Sequence, residues 1–300
     1  MKTVYFDTNA FVDVFEDRKP GRYATVQELV QRRLIRPVAS DALLKELVEG
    51  SQKPNFDLGI TRFFSLDARW MLAGAGLRQR DLLLHFYPDL QTDRIEFMTW
   101  QEALPRFFEP PEILLAVPDL RIPTPQALRQ VFTPELLKLE SKKYDDYLKW
   151  LQDTLYERLQ KESKESLFIW LAKRVLTNQP RAAEMAAEAY AELDIAPAFR
   201  IAFELDCYAA RTKATKHVKN EFLDRLHATI IPFVDLFVTS DDALLKALAW
   251  FDEEVRLPAG KSPYMAKVCG DWQTFEDRAG EESTSIMTTR EADVLQSDKA

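Results

Sequence analysis

The chain has 300 residues, of which 46% are hydrophobic and 29% are charged, and this composition indicates a folded, soluble protein with a sizeable core. Its only cysteines, Cys207 and Cys269, are too few for a disulfide framework or a cysteine-rich zinc site, and we expect both to be buried thiols. The net charge of −8 argues against a protein that coats nucleic acid, since its overall electric field would repel the phosphate backbone. Local contacts between basic side chains and phosphates are still compatible with this charge.

No part of the sequence has the pattern of a signal peptide or a membrane span. The apolar run at the amino terminus is short and is broken by Asp7, and no uninterrupted apolar segment reaches the ~18 residues that a membrane helix needs. We therefore expect a cytoplasmic protein without a membrane partner.

The first dozen residues predict a buried strand that ends in polar side chains. An apolar and aromatic run ends at Phe6, and Asp7, Thr8 and Asn9 follow it. Open parallel sheets carry their active sites at the carboxyl ends of their strands. Asp-Thr-Asn is also ordinary turn chemistry, so the functional interpretation depends on other acids reaching the same place.

A second strand and a capped helix follow. Residues 22–34 predict a crossover helix, and residues 36–40 predict a short strand, parallel and adjacent to the first. Ser40 is a typical N-cap and Gly50 a typical stop signal for the next helix, whose internal acid is Glu46.

The middle of the chain is predicted to be mainly helical. Residues 57–90 favour two or three helices, and residues 94–100 are compatible with an additional strand. Prolines in the segment 102–134 predict a bent connector. Beyond it, periodic apolar residues predict helices from Pro134, near 165–176 and from Pro180.

The carboxyl-terminal third returns to alternating strands and helices. A helix carrying Asp224 precedes a predicted strand at residues 232–238, and Thr239, Ser240 and Asp241 follow that strand. Asp242 competes with Asp241, since a helix N-terminus accepts either carboxylate. Residues 255–258 are a candidate edge strand, and the polar segment 278–300 is expected to be a flexible tail.

In order and context, four sequence features resemble the PIN-domain family of metal-dependent nucleases over residues 1–50 and 215–260. They are Asp7-Thr8-Asn9, Glu46, Asp224 and Thr239-Ser240-Asp241. The resemblance implies a three-layer α/β core with a central, mostly parallel sheet built from both chain ends. We assign residues 1–100 and 205–260 to this discontinuous core and residues 101–204 to a helical insertion. Of the two competing acids, the family pattern favours Asp241.

The resemblance also implies a site. Four carboxylates at one sheet edge would raise one another's pKa unless a hard cation bound there, and carboxylate oxygens are the ligands that Mg²⁺ or Mn²⁺ selects. We assign Asp7, Asp224 and Asp241 as metal ligands, and Glu46 as a ligand or a water-orienting group. Neighbouring hydrogen-bonding groups are Asn9, Thr239, Ser240 and His227, the last of which shares a helix face with Asp224 and is alternatively a buried interface residue.

A basic run precedes the helix that carries Asp224. Its cations are Arg211, Lys213, Lys216 and Lys219. They either form a solvated helix face or hold a nucleic-acid phosphate near the acids, and both interpretations remain open.

The expected function is phosphodiester hydrolysis of nucleic acid without a covalent enzyme intermediate. Because the resembling family contains mostly RNases, an endoribonuclease is favoured, with structure-specific DNA cleavage as the enzymatic alternative. A PIN-like module that binds or assembles without turnover is the alternative from another class. A protein regulator or a second copy of the chain is a further possible partner for the helical insertion.

Overall fold

The computed structural model describes residues 1–50, 53–73, 75–87, 97–107, 124–131, 145–147, 149–176, 179, 181–212, 218–255 and 262–281. The strands are β1 (Lys2–Phe6), β2 (Ile35–Ser40), β3 (Arg69–Met71), β4 (Leu236–Val238) and β5 (Val268–Cys269). The α-helices are α1 (Thr8–Phe15), α2 (Arg22–Gln31), α3 (Asp41–Glu49), α4 (Phe56–Phe64), α5 (Ala75–Phe86), α6 (Trp100–Phe107), α7 (Pro125–Val131), α8 (Tyr156–Leu159), α9 (Lys164–Val175), α10 (Ala182–Ala191), α11 (Pro197–Thr212), α12 (Val218–Ala228), α13 (Asp242–Glu254) and α14 (Trp272–Gly280). A π-helical segment, Trp150–Leu155, leads into α8, and short 3₁₀ helices span Ile231–Phe233 and Met265–Lys267.

The five strands form one parallel sheet in the order β3-β2-β1-β4-β5. β1 is central: Tyr5 pairs with Val38 of β2 on one side and with Phe237 of β4 on the other. The expected α/β class is confirmed, including a sheet to which both ends of the chain contribute strands. The strand order reverses at β1, so the crevice between β1 and β4 is the topological switch point, where open α/β sheets bind their ligands.

Helices cover both faces of the sheet. Val4, Tyr5 and Phe6 are all fully buried, although successive side chains of a strand point to opposite faces. Tyr5 stacks on Phe237 of the neighbouring strand, with 5.6 Å between the ring centroids. This three-layer arrangement fixes the positions of the residues that follow β1, β2 and β4.

A second group of buried hydrophobic side chains lies among the helices α5, α9, α10 and α11 and the segment 147–155. Helix α11 joins it to the sheet: Ile201 and Leu205 pack in the sheet core, whereas Phe203 and Cys207 pack in the helical cluster. The boundary expected between residues 204 and 205 therefore runs through the middle of one helix. Helices expected near 165–176 and from Pro180 are present as α9 and α10, and both cysteines are buried, as expected.

The predicted connector at residues 102–134 is helical over most of its two described parts, while residues 108–123 and 132–134 lie outside the described residues. Residues 100–107 and 125–131 are helical, and α6 contains Pro105. Tertiary packing outweighs the local signal here, since Trp100 packs on Trp70 of β3 with 4.8 Å between ring centroids. Met98 forms a single antiparallel bridge with Trp70, while residues 94–96 of the suggested strand at 94–100 lie outside the described residues.

The carboxyl-terminal expectations also change. The strand β5 at the sheet edge is formed by residues 268–269. Of the candidate strand at residues 255–258, Val255 directly follows α13, and residues 256–258 lie outside the described residues. Arg278 belongs to α14 rather than to a tail, and its Nη1 donates to the carbonyl oxygens of Ala266 at 2.6 Å and Val268 at 3.0 Å. Residues 282–300 of the expected tail lie outside the described residues. Across the described part of the chain, no helix combines the length and the apolar character needed to cross a bilayer.

Candidate functional site

Two carboxylates lie at the carboxyl-terminal edge of the sheet, on either side of the switch point. Asp7 follows β1 and caps α1, where its Oδ1 accepts a hydrogen bond from the backbone N–H of Ala10 at 2.7 Å. Asp241 follows β4 and caps α13, where its Oδ1 accepts from the N–H groups of Ala243 at 2.8 Å and Leu244 at 3.0 Å. Because β1 and β4 are paired, both acids are held next to the same crevice by rigid elements.

Thr239 and Asn9 connect these two acids. The hydroxyl of Thr239 donates to Oδ2 of Asp7 and accepts from the backbone N–H of Asp241 at 3.0 Å. The amide of Asn9 donates to Oδ2 of Asp241 at 3.0 Å. Both residues therefore have hydrogen-bonding positions at the acids, as the sequence suggested. Ser240 is exposed and, together with Thr239, lines a cavity of about 260 Å³ between α1 and α14.

Glu46 enters the site from α3, beside His227 of α12. Its Oε2 accepts from the hydroxyl of Thr8 and lies 2.8 Å from Nε2 of His227. Nδ1 of His227 lies 2.6 Å from the hydroxyl of Tyr5. Although burial alone lowers the pKa of His227, its hydrogen bond and charge interaction with Glu46 raise that pKa overall.

Asp224 lies on α12 and is electrostatically coupled to the other three acids. Burial, followed by the negative charge of Asp241, raises the pKa of Asp224 to about 8; Glu46 and Asp7 add to this effect, and His227 opposes it. Burial also raises the pKa of Asp7 to about 6. The negative charges of Asp241, Glu46 and Asp7 therefore all act on Asp224, whereas their assignment to one metal site stays a prediction.

A cavity of about 410 Å³ opens beside Asp224. Helices α11, α12 and α13 surround it, with Tyr208 and Leu205 among its apolar lining residues and Thr212, Arg225 and Lys246 among its polar ones. Asp242 also lines this cavity, but the cap of α13 is made by Asp241.

The acids match a divalent cation in donor type but are not arranged as a formed metal centre. Carboxylate oxygens are the ligands that Mg²⁺ or Mn²⁺ selects, and after burial the neighbouring negative charge of Asp241 is the next cause of the raised pKa of Asp224. Within the described residues, however, no group of three or more His, Cys, Asp or Glu side chains is positioned to hold an ion. Both oxygens of Asp7 accept hydrogen bonds, as do both oxygens of Asp241. Side chains would have to rearrange for an ion to be bound.

The predicted basic residues are only partly described. Arg211 is exposed, lies 4.0 Å from Glu254 and stands over the ring of Trp250. This places it at the opposite end of α13 from Asp241. Lys213 and Lys216 lie outside the described residues, and Lys219 belongs to α12 without a described side chain.

Sequence reasoning missed the contribution of Tyr5 and Ser40. The hydroxyl of Tyr5 lies 2.8 Å from Oγ of Ser40, and that oxygen also accepts from the N–H of Leu43 to cap α3. Desolvation by burial raises the pKa of Tyr5 well above its usual value. The only sequence signal is a phenol within an otherwise apolar strand, which does not reveal its partners.

Comparisons of the chain with protein-family models, with curated proteins and with solved structures find no match.

Proposed function

We propose that the chain is a PIN-like, metal-dependent nuclease, most consistent with an endoribonuclease. One observation carries the proposal. Four acids that are distant in sequence lie near the carboxyl-terminal edge of a parallel sheet, next to its switch point, and the charges of three of them raise the pKa of the fourth. The three are Asp7, Glu46 and Asp241, and the fourth is Asp224. A cavity of about 410 Å³ beside Asp224 offers space for part of a nucleotide chain.

The residues of the chain have distinct roles in this proposal. A bound Mg²⁺ or Mn²⁺ would activate a water for in-line attack on phosphorus and stabilise charge on the phosphoryl oxygens. Asp7, Asp224 and Asp241 would hold the ion, and Glu46 would hold it or orient the water. The hydroxyl of Thr239 and the amide of Asn9 would keep two of these carboxylates oriented through the hydrogen bonds they already make. The attacking water would add to phosphorus and lose a proton to solvent, the P–O bond to the leaving group would break, and the departing oxygen would take a proton from solvent.

A binding or assembly module without turnover is the second candidate, and one observation favours it. The oxygens of Asp7 and Asp241 are already occupied by hydrogen bonds, and no metal-holding group is formed within the described residues. In that case the same polar cluster would fix the helices α1, α3, α12 and α13 to the sheet edge. The helical region would then be the surface that binds the partner.

The decisive experiment measures cleavage of labelled single-stranded RNA, structured RNA and DNA with Mn²⁺, Mg²⁺ or EDTA. We expect metal-dependent cleavage of RNA that is lost in Asp241→Asn. Glu253→Gln is the matched control, since it removes an exposed carboxylate near the other end of α13, outside the cavity. Asn is itself a good N-cap, so Asp241→Asn should fold.

The outcomes separate the candidates. Cleavage that is unaffected by Asp241→Asn would contradict the site assignment, and preferential cleavage of DNA would redirect the proposal to a DNA nuclease. Salt-sensitive binding of RNA that survives EDTA without any cleavage would favour the binding module.

A further inference from the structure

A second cavity, of about 340 Å³, lies within the helical region; none of the four acids lines it, although Arg225 lines both this cavity and the one beside Asp224. Its apolar walls come from three helical segments and include aromatic rings. They comprise Trp150, Leu171, Val175, Phe199 and Phe203. Such walls would accept the flat or apolar body of a small molecule.

The charged residues that line this cavity are predominantly positive. Among the described residues they are Arg78, Arg174 and Arg225, against the single carboxylate of Asp206. Arg174 is exposed at the rim, where its guanidinium stacks on Trp170 at 4.0 Å. Positive charge concentrated in an apolar cavity attracts an anion.

Arg225 is held rigidly and has one buried donor atom without a partner among the described residues. It is only 6% exposed, and its guanidinium lies against the rings of Tyr147 at 4.3 Å and Phe222 at 4.8 Å. Its Nη1 donates to both oxygens of Asp206, at 2.8 and 2.9 Å. Its Nε–H is buried and has no acceptor in the part of the chain that the structure describes. A buried donor without an acceptor costs stability, which an oxyanion in the cavity would recover.

Asp206, the one carboxylate among the described residues that line the cavity, already accepts hydrogen bonds from two neighbours. Its carboxylate accepts from Arg225 and also from the hydroxyl of Tyr147 at 2.8 Å. Burial, followed by the positive charge of Arg225, lowers the pKa of Arg78 to about 10. The two guanidinium groups therefore repel each other across this site despite the carboxylate.

We propose that this cavity binds a small organic anion, with a phosphate or carboxylate head held by Arg78, Arg174 and Arg225 and an apolar body against the aromatic walls. Guanidinium groups suit this role because their planar N–H groups match oxyanions in pairs. The proposal is independent of nuclease activity, since it uses none of the four acids.

The test is calorimetric titration of the full chain in EDTA at constant ionic strength, with tryptophan fluorescence as a second readout. The probes are phenyl phosphate, phenylacetate, inorganic phosphate and neutral benzyl alcohol. We expect saturable one-to-one binding of at least one aromatic anion, tighter than that of inorganic phosphate, and no binding of benzyl alcohol. Whichever of phenyl phosphate and phenylacetate binds with the lower Kd identifies the preferred head group.

Arg174→Gln is the informative variant, because Arg174 is exposed and its replacement should leave folding intact. It should weaken binding of the preferred anion by roughly tenfold, the effect of one lost charge-assisted contact. Arg181→Gln removes another exposed arginine of the helical region that does not line the cavity, and it should leave binding unchanged.

Absence of saturable binding of every anion by the folded protein would overturn the proposal. Equal affinities for Arg174→Gln and Arg181→Gln would also overturn it. If benzyl alcohol bound as well as the anions, the cavity would be an apolar pocket without anion selectivity, and the proposal would again fail.

Discussion

Nε2 of His227 lies 2.8 Å from Oε2 of Glu46, although the two residues are 181 positions apart in the chain. The opposite ring nitrogen lies 2.6 Å from the hydroxyl of Tyr5, which lies in turn 2.8 Å from Oγ of Ser40. This buried series of polar groups joins α3 and α12 to the neighbouring strands β1 and β2. It holds an acid of the candidate site to the sheet.

His227→Phe should destabilise the protein by about 1–3 kcal/mol, because it leaves the buried hydroxyl of Tyr5 and the carboxylate of Glu46 with one partner fewer each. Urea unfolding followed by circular dichroism measures the difference. The matched control is His85→Phe, at an exposed position near the end of α5, which should change stability by no more than about 0.5 kcal/mol. Equal losses in the two variants would show that the buried series contributes nothing specific.

Thr239→Val should lower nuclease activity by about 10–100-fold, because the hydroxyl of Thr239 donates to Asp7 and accepts a hydrogen bond from the backbone N–H of Asp241. The variant should also lose about 1 kcal/mol of stability, a loss that does not depend on activity. Thr239→Ser retains the hydroxyl and should restore most of both properties. If Thr239→Ser were as impaired as Thr239→Val, the methyl group rather than the hydrogen bonds would be important.

Gly59→Ala should destabilise the protein by about 1–3 kcal/mol, although alanine ordinarily favours a helix over glycine. A Cβ atom at Gly59 would lie 2.7 Å from Cγ of Glu16 and 3.2 Å from a ring carbon of Phe11, where α4 packs on α1. Thermal unfolding of Gly59→Ala and of Gly280→Ala provides the comparison, since a Cβ at Gly280 has no neighbour within 4 Å among the described residues. An unchanged or raised Tm for Gly59→Ala would contradict the close helix packing.

Stability should depend on pH through Asp81. Its Oδ2 accepts from the backbone N–H groups of Ala198 at 2.7 Å and Phe199 at 3.4 Å, and burial raises its pKa to about 7. In the unfolded chain this group titrates near pH 4, so between about pH 4 and 7 the folded state binds more protons than the unfolded state. The contribution of Asp81 to stability is therefore greatest below about pH 4 and falls as the pH rises to about 7.

Asp81→Asn should remove this dependence, because the amide keeps an acceptor oxygen and does not ionise. Relative to wild type, it should be more stable by on the order of 1–3 kcal/mol at about pH 8, and the difference should vanish towards pH 4. Urea unfolding across this range in EDTA measures it, with the exposed Asp153→Asn as control. A difference that did not grow with pH would contradict the raised pKa.

Local chemistry was sufficient to predict several elements of the fold and the site. The apolar run before Asp7 predicted β1, and the Ser40 cap and Gly50 stop predicted the bounds of α3 within a residue. Short or packing-dependent elements were missed. β3 and β5 have three and two residues, too few for a recognisable period, and α6 contains Pro105 because tertiary contacts of Trp100 with Trp70 stabilise it.

By itself, the sequence determined that polar residues follow the strands β1 and β4 and that helices carrying Glu46 and Asp224 lie elsewhere along the chain. Only the tertiary structure decided that β1 lies between β2 and β4, which brings His227 against Glu46 and places Arg225 and Arg78 at one cavity. The physical reason is that caps and periodicity depend on neighbouring residues, whereas the partners of a buried side chain depend on strand order and helix packing, which bring distant segments together.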